Sequence, residues 1–114
     1  MKTQYLEVVT PDVGAVCAAY SAVLGVEFSQ PVPALGGART ALLQDGSHVG
    51  VRAPLRESEL PVVRPYWLVP DIQAALVAAE KAGARVAVPP MPIPGYGTCA
   101  IYLLGGNDHG LWQL

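Results

Sequence analysis

Hydrophobic and polar positions follow the same order of patterns twice along the chain. Strand-like alternation over residues 5–9 precedes residues 13–24, where apolar side chains recur at helical spacing. The same succession returns over residues 64–69 and 72–82. Apolar runs of strand length then follow at 26–31, 39–44 and 47–53 in the first half, and at 85–89, 98–104 and 110–114 in the second. Each half is therefore predicted to fold as β-α-β-β-β.

The residues that bound the two helical patterns are also duplicated. Asp12 precedes the first pattern and Asp71 the second, 59 residues later, and each directly follows a proline. Asp at this place accepts hydrogen bonds from the exposed N–H groups of a first helical turn, so both are predicted N-caps. Gly25 and Gly83 are predicted to end the helices in the left-handed conformation.

Composition places these patterns in one small domain. The chain has 114 residues, of which 52% are hydrophobic and 14% charged, so it can bury a core and is not disordered. Its net charge of −2 and seven basic residues argue against a nucleic-acid partner. The mean hydropathy of +0.35 raises the question of a membrane. However, the longest uncharged run, residues 86–107, contains four prolines and cannot form a spanning helix.

The N-terminus and the cysteines bear on the compartment. The first residues enter a strand-like pattern directly, without the apolar run of a secretory signal. Cys17 and Cys99 are isolated and show no metal-binding or redox spacing. A cytoplasmic location is therefore expected.

The tandem β-α-β-β-β pattern resembles the vicinal oxygen chelate superfamily, which includes glyoxalase I, bleomycin-resistance proteins, fosfomycin-resistance enzymes and extradiol dioxygenases. The segments that carry the resemblance span the whole chain: Pro11–Asp12, Tyr20, Leu24–Gly25, Tyr66–Ile72, Ala82–Ala84, Pro89–Gly97 and Gly110–Leu114. It implies an α+β fold of two βαβββ modules, residues 1–54 and 62–114 with linker 55–61, forming a curved mixed sheet around a cleft. It also implies a small molecule or metal in the cleft, and commonly a homodimer.

Strand alternation selects the side chains expected to face that cleft. Leu6 and Val8 form an apolar set that should pack on a helix, which leaves Tyr5 and Glu7 for the cleft. In the last strand of each module, His48, Gly50 and Arg52 are expected on one side, with His109, Leu111 and Gln113 on the corresponding side. Glu7 is the candidate catalytic residue. The predicted substrate-binding residues are Tyr5, Glu7, Arg52, Arg64, Tyr66, Tyr96 and Gln113.

The ligand positions of the superfamily's metal-dependent members are poorly matched. By resemblance, the metal ligands would fall on Tyr5, Arg64, Gly50 or Arg52, and Gln113. Arginine stays protonated and cannot bind a metal, and glycine has no side chain. Glu7 is the one carboxylate inside a strand on the expected cleft side. No cofactor is therefore predicted, although a divalent metal stays possible.

The two histidines are the alternative metal candidates. His48 and His109 follow the turns of the two halves, at similar places. They are either a pair of ligands or a general base near Glu7, or two histidines that form local hydrogen bonds. The segment 89–97 also has two interpretations: a rigid connector at a sheet edge, or a cleft wall with Tyr96 as a ligand contact.

Three functions follow. The first is metal-independent binding of an aromatic or anionic metabolite or antibiotic, because aromatic surface with a few polar anchors is typical of small-molecule sites. The second is a glyoxalase-like isomerase or lyase, with Glu7 as base and Arg64 or a metal stabilising an enolate-like charge. The third is a non-catalytic interaction module built for a dimer.

Overall fold

The computed structural model describes residues 1–114 and confirms the predicted α+β class. It contains β1 (Thr3–Val9), α1 (Val13–Leu24), a short 3-10 turn (Pro33–Leu35), β2 (Arg39–Leu42), β3 (His48–Arg52), β4 (Val62–Leu68), α2 (Ile72–Lys81), β5 (Arg85–Ile93), β6 (Gly97–Leu104) and β7 (Asn107–Gln113). Neither helix is long and apolar enough to cross a membrane. The chain divides into two compact units, called here the N-terminal unit (residues 5–63) and the C-terminal unit (residues 1–4 and 64–114).

In the N-terminal unit, β3 lies between two strands. It pairs in parallel with β1 and antiparallel with β2. Helix α1 contributes the buried Cys17 to a core with Val8, Val49 and Val51, and Leu6 packs against the same cluster. The predicted packing of Leu6 and Val8 on the helix is confirmed.

The strand predicted at residues 26–31 does not form, so the first half is not a complete β-α-β-β-β module. Ser29 takes over part of the ladder beside β2: its N–H donates to the Thr40 carbonyl at 2.8 Å. In return, the Thr40 N–H donates to the Ser29 hydroxyl at 3.0 Å rather than to a backbone carbonyl. A side chain therefore replaces the regular strand partner at this step. The residues that follow make one further isolated bridge, between Val32 and Ala38, and no continuous strand forms.

The C-terminal unit holds four strands in the order β4-β7-β6-β5. Strand β4 runs parallel to β7, and the other neighbours are antiparallel. Helix α2 buries Ile72 and Leu76 against Ala100 and Leu111, and Trp67 and Val69 pack on the same cluster. Gly105 and Gly106, with φ of 63° and 80°, form the predicted turn between β6 and β7.

The proline-rich segment extends β5 beyond its predicted end at residue 89. The strand continues to Ile93 and pairs with β6 alone, at the edge of the sheet. An edge strand tolerates proline because only one of its two sides is hydrogen-bonded to a neighbour. The pairing has register irregularities between Val86 and Val88 and between Val88 and Met91, and the second of these contains Pro89 and Pro90. Of the two interpretations of segment 89–97, the rigid connector at a sheet edge describes this backbone.

The capping prediction is right for one aspartate and wrong for the other. The Asp71 carboxylate accepts from the Ala74 N–H at 3.0 Å. Asp12 makes no side-chain cap, and its own N–H donates to the Thr10 hydroxyl at 3.1 Å. With φ −107° and ψ 52°, Asp12 lies outside the extended conformation that directs a capping side chain toward the first turn. The predicted glycines follow both helices, with φ of 67° at Gly25 and 104° at Gly83.

Candidate functional site

In the N-terminal unit, the sheet face opposite α1 carries the predicted Tyr5 and Glu7. The parallel register places His48 beside Tyr5 and Gly50 beside Glu7. Tyr5 is 3% exposed and Glu7 8% exposed, so both side chains are buried in the folded chain. Gly50 makes room for Tyr5, because a Cβ built on Gly50 would collide with the Tyr5 hydroxyl and ring.

Arg52 connects two carboxylates on this face. Its Nε donates to Glu7 Oε2 at 2.9 Å. Its Nη1 and Nη2 donate to the two oxygens of Glu59 at 2.8 and 2.7 Å, a bidentate pair. Nη1 also donates to the Ala53 carbonyl at 3.2 Å. Because four contacts to three partners hold one guanidinium, its orientation is tightly defined.

The same contacts govern the protonation of Arg52 and Glu59. The hydrogen bonds from Arg52 are the main reason that the pKa of Glu59 falls to about 2. Burial of the carboxylate raises this pKa and offsets part of the decrease. The Leu55 N–H, which donates to Glu59 Oε1 at 2.7 Å, lowers this pKa further. The hydrogen bond with Glu59 is also the largest cause that raises the pKa of Arg52. This pair therefore stays charged over the ordinary pH range.

In the C-terminal unit, two aromatic rings lie on glycines of the sheet. Tyr66 and Trp112 form an edge-to-face pair with ring centroids 5.8 Å apart. A Cβ on Gly110 would come within 2.6 Å of the Tyr66 ring, and one on Gly97 within 2.6 Å of Trp112 Nε1. Trp112 Nε1 donates to the Tyr96 carbonyl at 3.1 Å, so Tyr96 contributes its backbone to this cluster. The rings thus occupy the sheet surface on which they lie.

Gln113 lies on the opposite face from Tyr66, which corrects the expected correspondence between the two modules. The register pairs Tyr66 with Gly110, whereas Gln113 Oε1 accepts from the Ile72 N–H at 2.8 Å, at the start of α2. His109, like Gln113, has the opposite parity to Gly110 and does not correspond in face to His48. Because side chains alternate between the two faces of a strand, aligning the two halves one residue out of step assigns every side chain of the strand to the wrong face.

Arg64 and His109 each contact other side chains or backbone of the C-terminal unit. Arg64 Nη2 donates to Asp108 Oδ2 at 3.2 Å. His109 stacks on Tyr102 with ring centroids 5.0 Å apart, and its Nε2 lies 3.0 Å from the Leu104 carbonyl oxygen. These contacts match the expectation that this histidine bonds locally. In the other unit, burial lowers the pKa of His48.

The donor set does not fit the metal centre that the resemblance implies. No three His, Cys, Asp or Glu side chains lie together as a metal-binding group. On the N-terminal unit's candidate face, Gly50 offers no donor and Arg52 is cationic, and Glu7 is already ion-paired with Arg52. A divalent cation here would have to compete with a bound guanidinium for the carboxylate.

The C-terminal unit contains a cavity of about 450 Å³ near the ends of β4 and β7. Its wall is largely apolar, with Lys2 and Gln113 as polar members. The lining residues are Met1, Lys2, Leu68, Val69, Pro70, Gln113 and Leu114. The Leu68 N–H donates to the Lys2 carbonyl at 2.8 Å, which positions residues 1 and 2 along this wall.

The structure therefore groups the predicted residues unevenly. Tyr5, Glu7 and Arg52 share one face of the N-terminal unit, whereas Gln113 alone of the predicted set lines the cavity. Glu59, the second carboxylate on Arg52, was missed because a polar linker gives no signal of a buried partner. Gly50 did carry a usable signal, since a glycine inside a strand indicates close approach of another group.

Neither the family models nor the curated proteins contain a match to this chain. Solved structures do match. A hypothetical protein from Bacillus halodurans is 15% identical, with a TM-score of 0.73 over 99% of this chain and 94% of its own. A Streptomyces coelicolor methylmalonyl-CoA epimerase in complex with 2-nitronate-propionyl-CoA is 18% identical, with a TM-score of 0.73 over 99% and 96%. The Mycobacterium tuberculosis methylmalonyl-CoA epimerase is 18% identical, with a TM-score of 0.72 over 96% and 85%.

These similarities establish the fold. The chain has the glyoxalase-type fold, as the resemblance to the vicinal oxygen chelate superfamily implies. More particularly, it is similar to methylmalonyl-CoA epimerases along nearly its whole length. Identities of 15–18% carry the fold alone, and activity has to be argued from this chain's own residues.

Proposed function

We propose that this protein binds a small anionic or aromatic molecule, a metabolite or an antibiotic, without a metal. The observation that carries the proposal is the cavity of about 450 Å³ in the C-terminal unit. Small-molecule sites commonly enclose about 300–1,000 Å³ and combine apolar walls with a few polar groups. This cavity has both properties.

The two polar side chains of the wall favour an anion. Lys2 brings an ammonium group, which attracts negative charge. Gln113 uses its carbonyl oxygen to accept from the Ile72 N–H, so its amide nitrogen is the group that can donate to a ligand. The apolar Leu68 and Val69 would contact the ligand's hydrocarbon part. The epimerase neighbour that holds an acyl-CoA analogue supports an anionic ligand on this fold.

The proposal is tested with a fluorescent probe pair in EDTA. Anilinonaphthalene sulfonate is the anionic probe, and the uncharged N-phenyl-naphthylamine is its matched control. We expect Lys2→Gln to weaken sulfonate binding by about tenfold with little effect on the neutral probe, because one charge contact is lost. Lys81→Gln at the exposed end of α2 serves as the control variant and should bind like wild type. Sulfonate binding that is absent in EDTA, or unchanged in Lys2→Gln, would contradict the proposal.

A glyoxalase-like isomerase or lyase reaction is the weaker candidate. It needs Glu7 as a base, but Glu7 Oε2 accepts a charge-assisted hydrogen bond from Arg52 at 2.9 Å. A carboxylate in such a pair gives up its interaction with the guanidinium when it takes a proton. Turnover of a thiohemiacetal substrate that falls at least tenfold in Glu7→Gln would restore this candidate.

A homodimer and a cytoplasmic location complete the proposal. Helix α1 has no charged residue, and Ala15, Ala18, Ala19 and Val23 are exposed along it. Association with a second copy would cover this apolar surface. Light scattering should show that Ala19→Glu shifts the protein toward monomer, whereas Ala78→Glu, at an exposed position of α2, does not. Equal masses for both variants and wild type at monomer size would contradict the dimer.

A further inference from the structure

The loop that joins β3 to β4, residues 53–61, is held to the N-terminal unit mainly by one carboxylate. Its large apolar side chains are not buried: Leu55 is 64% exposed and Leu60 is 76% exposed. Glu59, in contrast, places its carboxylate on Arg52, with a side chain that is only 13% exposed. Because apolar burial contributes little, the Glu59–Arg52 contact is the principal attachment of this loop.

Arg52 has orienting contacts besides those to the loop carboxylate. Its Nε is held by Glu7 of β1, and its Cδ lies so close to Gly36 that a Cβ there would approach it to 3.1 Å. The outer edge of the guanidinium, Nη1 and Nη2, is therefore presented in a fixed direction. A planar guanidinium with a free outer edge is the usual protein group for bidentate recognition of a carboxylate.

We propose that Arg52 is a carboxylate-binding site that Glu59 occupies in this conformation, so that a ligand carboxylate binds by displacing Glu59 and releasing the loop. The contacts of Glu59 are those expected of a ligand, with two parallel N–H···O bonds of 2.8 and 2.7 Å. The ligand class is a monocarboxylate. The proposal rests on contacts within the N-terminal unit and does not depend on the cavity of the C-terminal unit.

Competition between Glu59 and a ligand sets the expected effect. A side chain on a short loop has an effective concentration in the millimolar range or above toward its own partner. A free carboxylate must overcome this, so wild type should bind weakly, in proportion to the small fraction of molecules whose loop is open. Glu59→Gln removes the charged competitor and leaves Arg52 and Glu7 in place. We expect it to bind carboxylates at least about tenfold more tightly than wild type.

The test is an NMR titration that follows the Arg52 Nε–Hε signal. Benzoate is the probe and benzyl alcohol its uncharged match, and Glu57→Gln, in the same loop, is the control variant. Benzoate should shift the Arg52 signal at about tenfold lower concentration in Glu59→Gln than in wild type or Glu57→Gln. Benzyl alcohol should not shift it. In the Glu59→Gln background, Arg52→Lys should lose the gain, because lysine cannot form the bidentate pair.

Tryptic cleavage after the exposed Arg56 measures release of the loop independently. Cleavage should be faster in Glu59→Gln, and benzoate should accelerate it in wild type. Equal benzoate affinities in wild type and Glu59→Gln, or cleavage that benzoate does not change, would overturn the proposal. If benzoate shifts signals of the cavity around Lys2 but not the Arg52 signal, this proposal fails and the proposed function stands. If benzoate shifts the Arg52 signal but no signal of the cavity around Lys2, this proposal stands and the proposed function loses support.

Discussion

Acid stability gives the sharpest test of the Arg52–Glu59 pair. The pKa of Glu59 is about 2 in the folded protein, against an ordinary value of 4.5. A carboxyl whose pKa falls on folding stabilises the protein fully above its unfolded pKa, and the stabilisation is lost as the pH falls toward the folded pKa. Glu59 should therefore contribute at neutral pH, and lose its contribution between about pH 4.5 and pH 2.

The two pKa values limit the size of this effect. At about 1.4 kcal/mol per pKa unit, they allow at most about 3.5 kcal/mol. Water at the surface loop screens part of this, so we expect Glu59→Gln to lower the free energy of unfolding by about 1–2 kcal/mol at pH 7. The difference from wild type should shrink to about a quarter of its neutral-pH value at pH 2.5, because the Glu59 carboxyl is then protonated in the unfolded chain and partly protonated in the folded protein.

Urea unfolding followed by tryptophan fluorescence, repeated between pH 7 and pH 2.5, measures this difference. Glu57→Gln is the matched control, since it neutralises an exposed carboxylate of the same loop. It should stay within about 0.5 kcal/mol of wild type at pH 7. A Glu59→Gln deficit that is the same at every pH, or no deficit at pH 7, would refute the role assigned to the ion pair.

Further predictions concern packing and capping. Gly50→Ala should destabilise the fold by about 1–3 kcal/mol. Tyr5→Leu in the same chain should recover part of this loss, because Tyr5 atoms are the nearest obstacles to the new Cβ. Additive effects of the two substitutions in thermal unfolding would contradict this prediction. Gly110→Ala should cost at least as much, since its Cβ also meets a backbone carbonyl oxygen. Asp71→Ala should cost about 0.5–2 kcal/mol in urea unfolding, and Asp12→Ala less, because only Asp71 caps its helix through its side chain. Equal losses for the two aspartates would refute that distinction.

The local signals in the sequence were sufficient where one element decided the outcome. Helical spacing with Asp71 before it located α2, and the alternation of Leu6 and Val8 assigned the face that α1 covers. They failed where two segments compete for the same partners. The run at 26–31 looked like a strand, but the Ser29 hydroxyl takes the N–H of Thr40 that a neighbouring strand would have used.

The site shows the same division. Glu7 and Arg52 were both selected from strand alternation, and they do lie together. Nothing in the sequence connects Arg52 with Glu59, because a contact between a strand and a polar loop leaves no periodic pattern. The register of β4 against β7 likewise decides that Gln113 faces α2. The sequence prediction aligned the two halves one residue out of step and therefore assigned Gln113 to the other face.

The sequence by itself determined most of the repeated order of strands and helices, because hydrophobic periodicity and helix-end residues act over a few neighbouring positions. The glyoxalase-type fold followed from the resemblance of that order to a known superfamily. Only the tertiary structure decided that Tyr5 and Tyr66 lie on glycines and that Arg52 is bound by two carboxylates. Those outcomes depend on which distant backbone approaches which side chain, and strand register sets that approach.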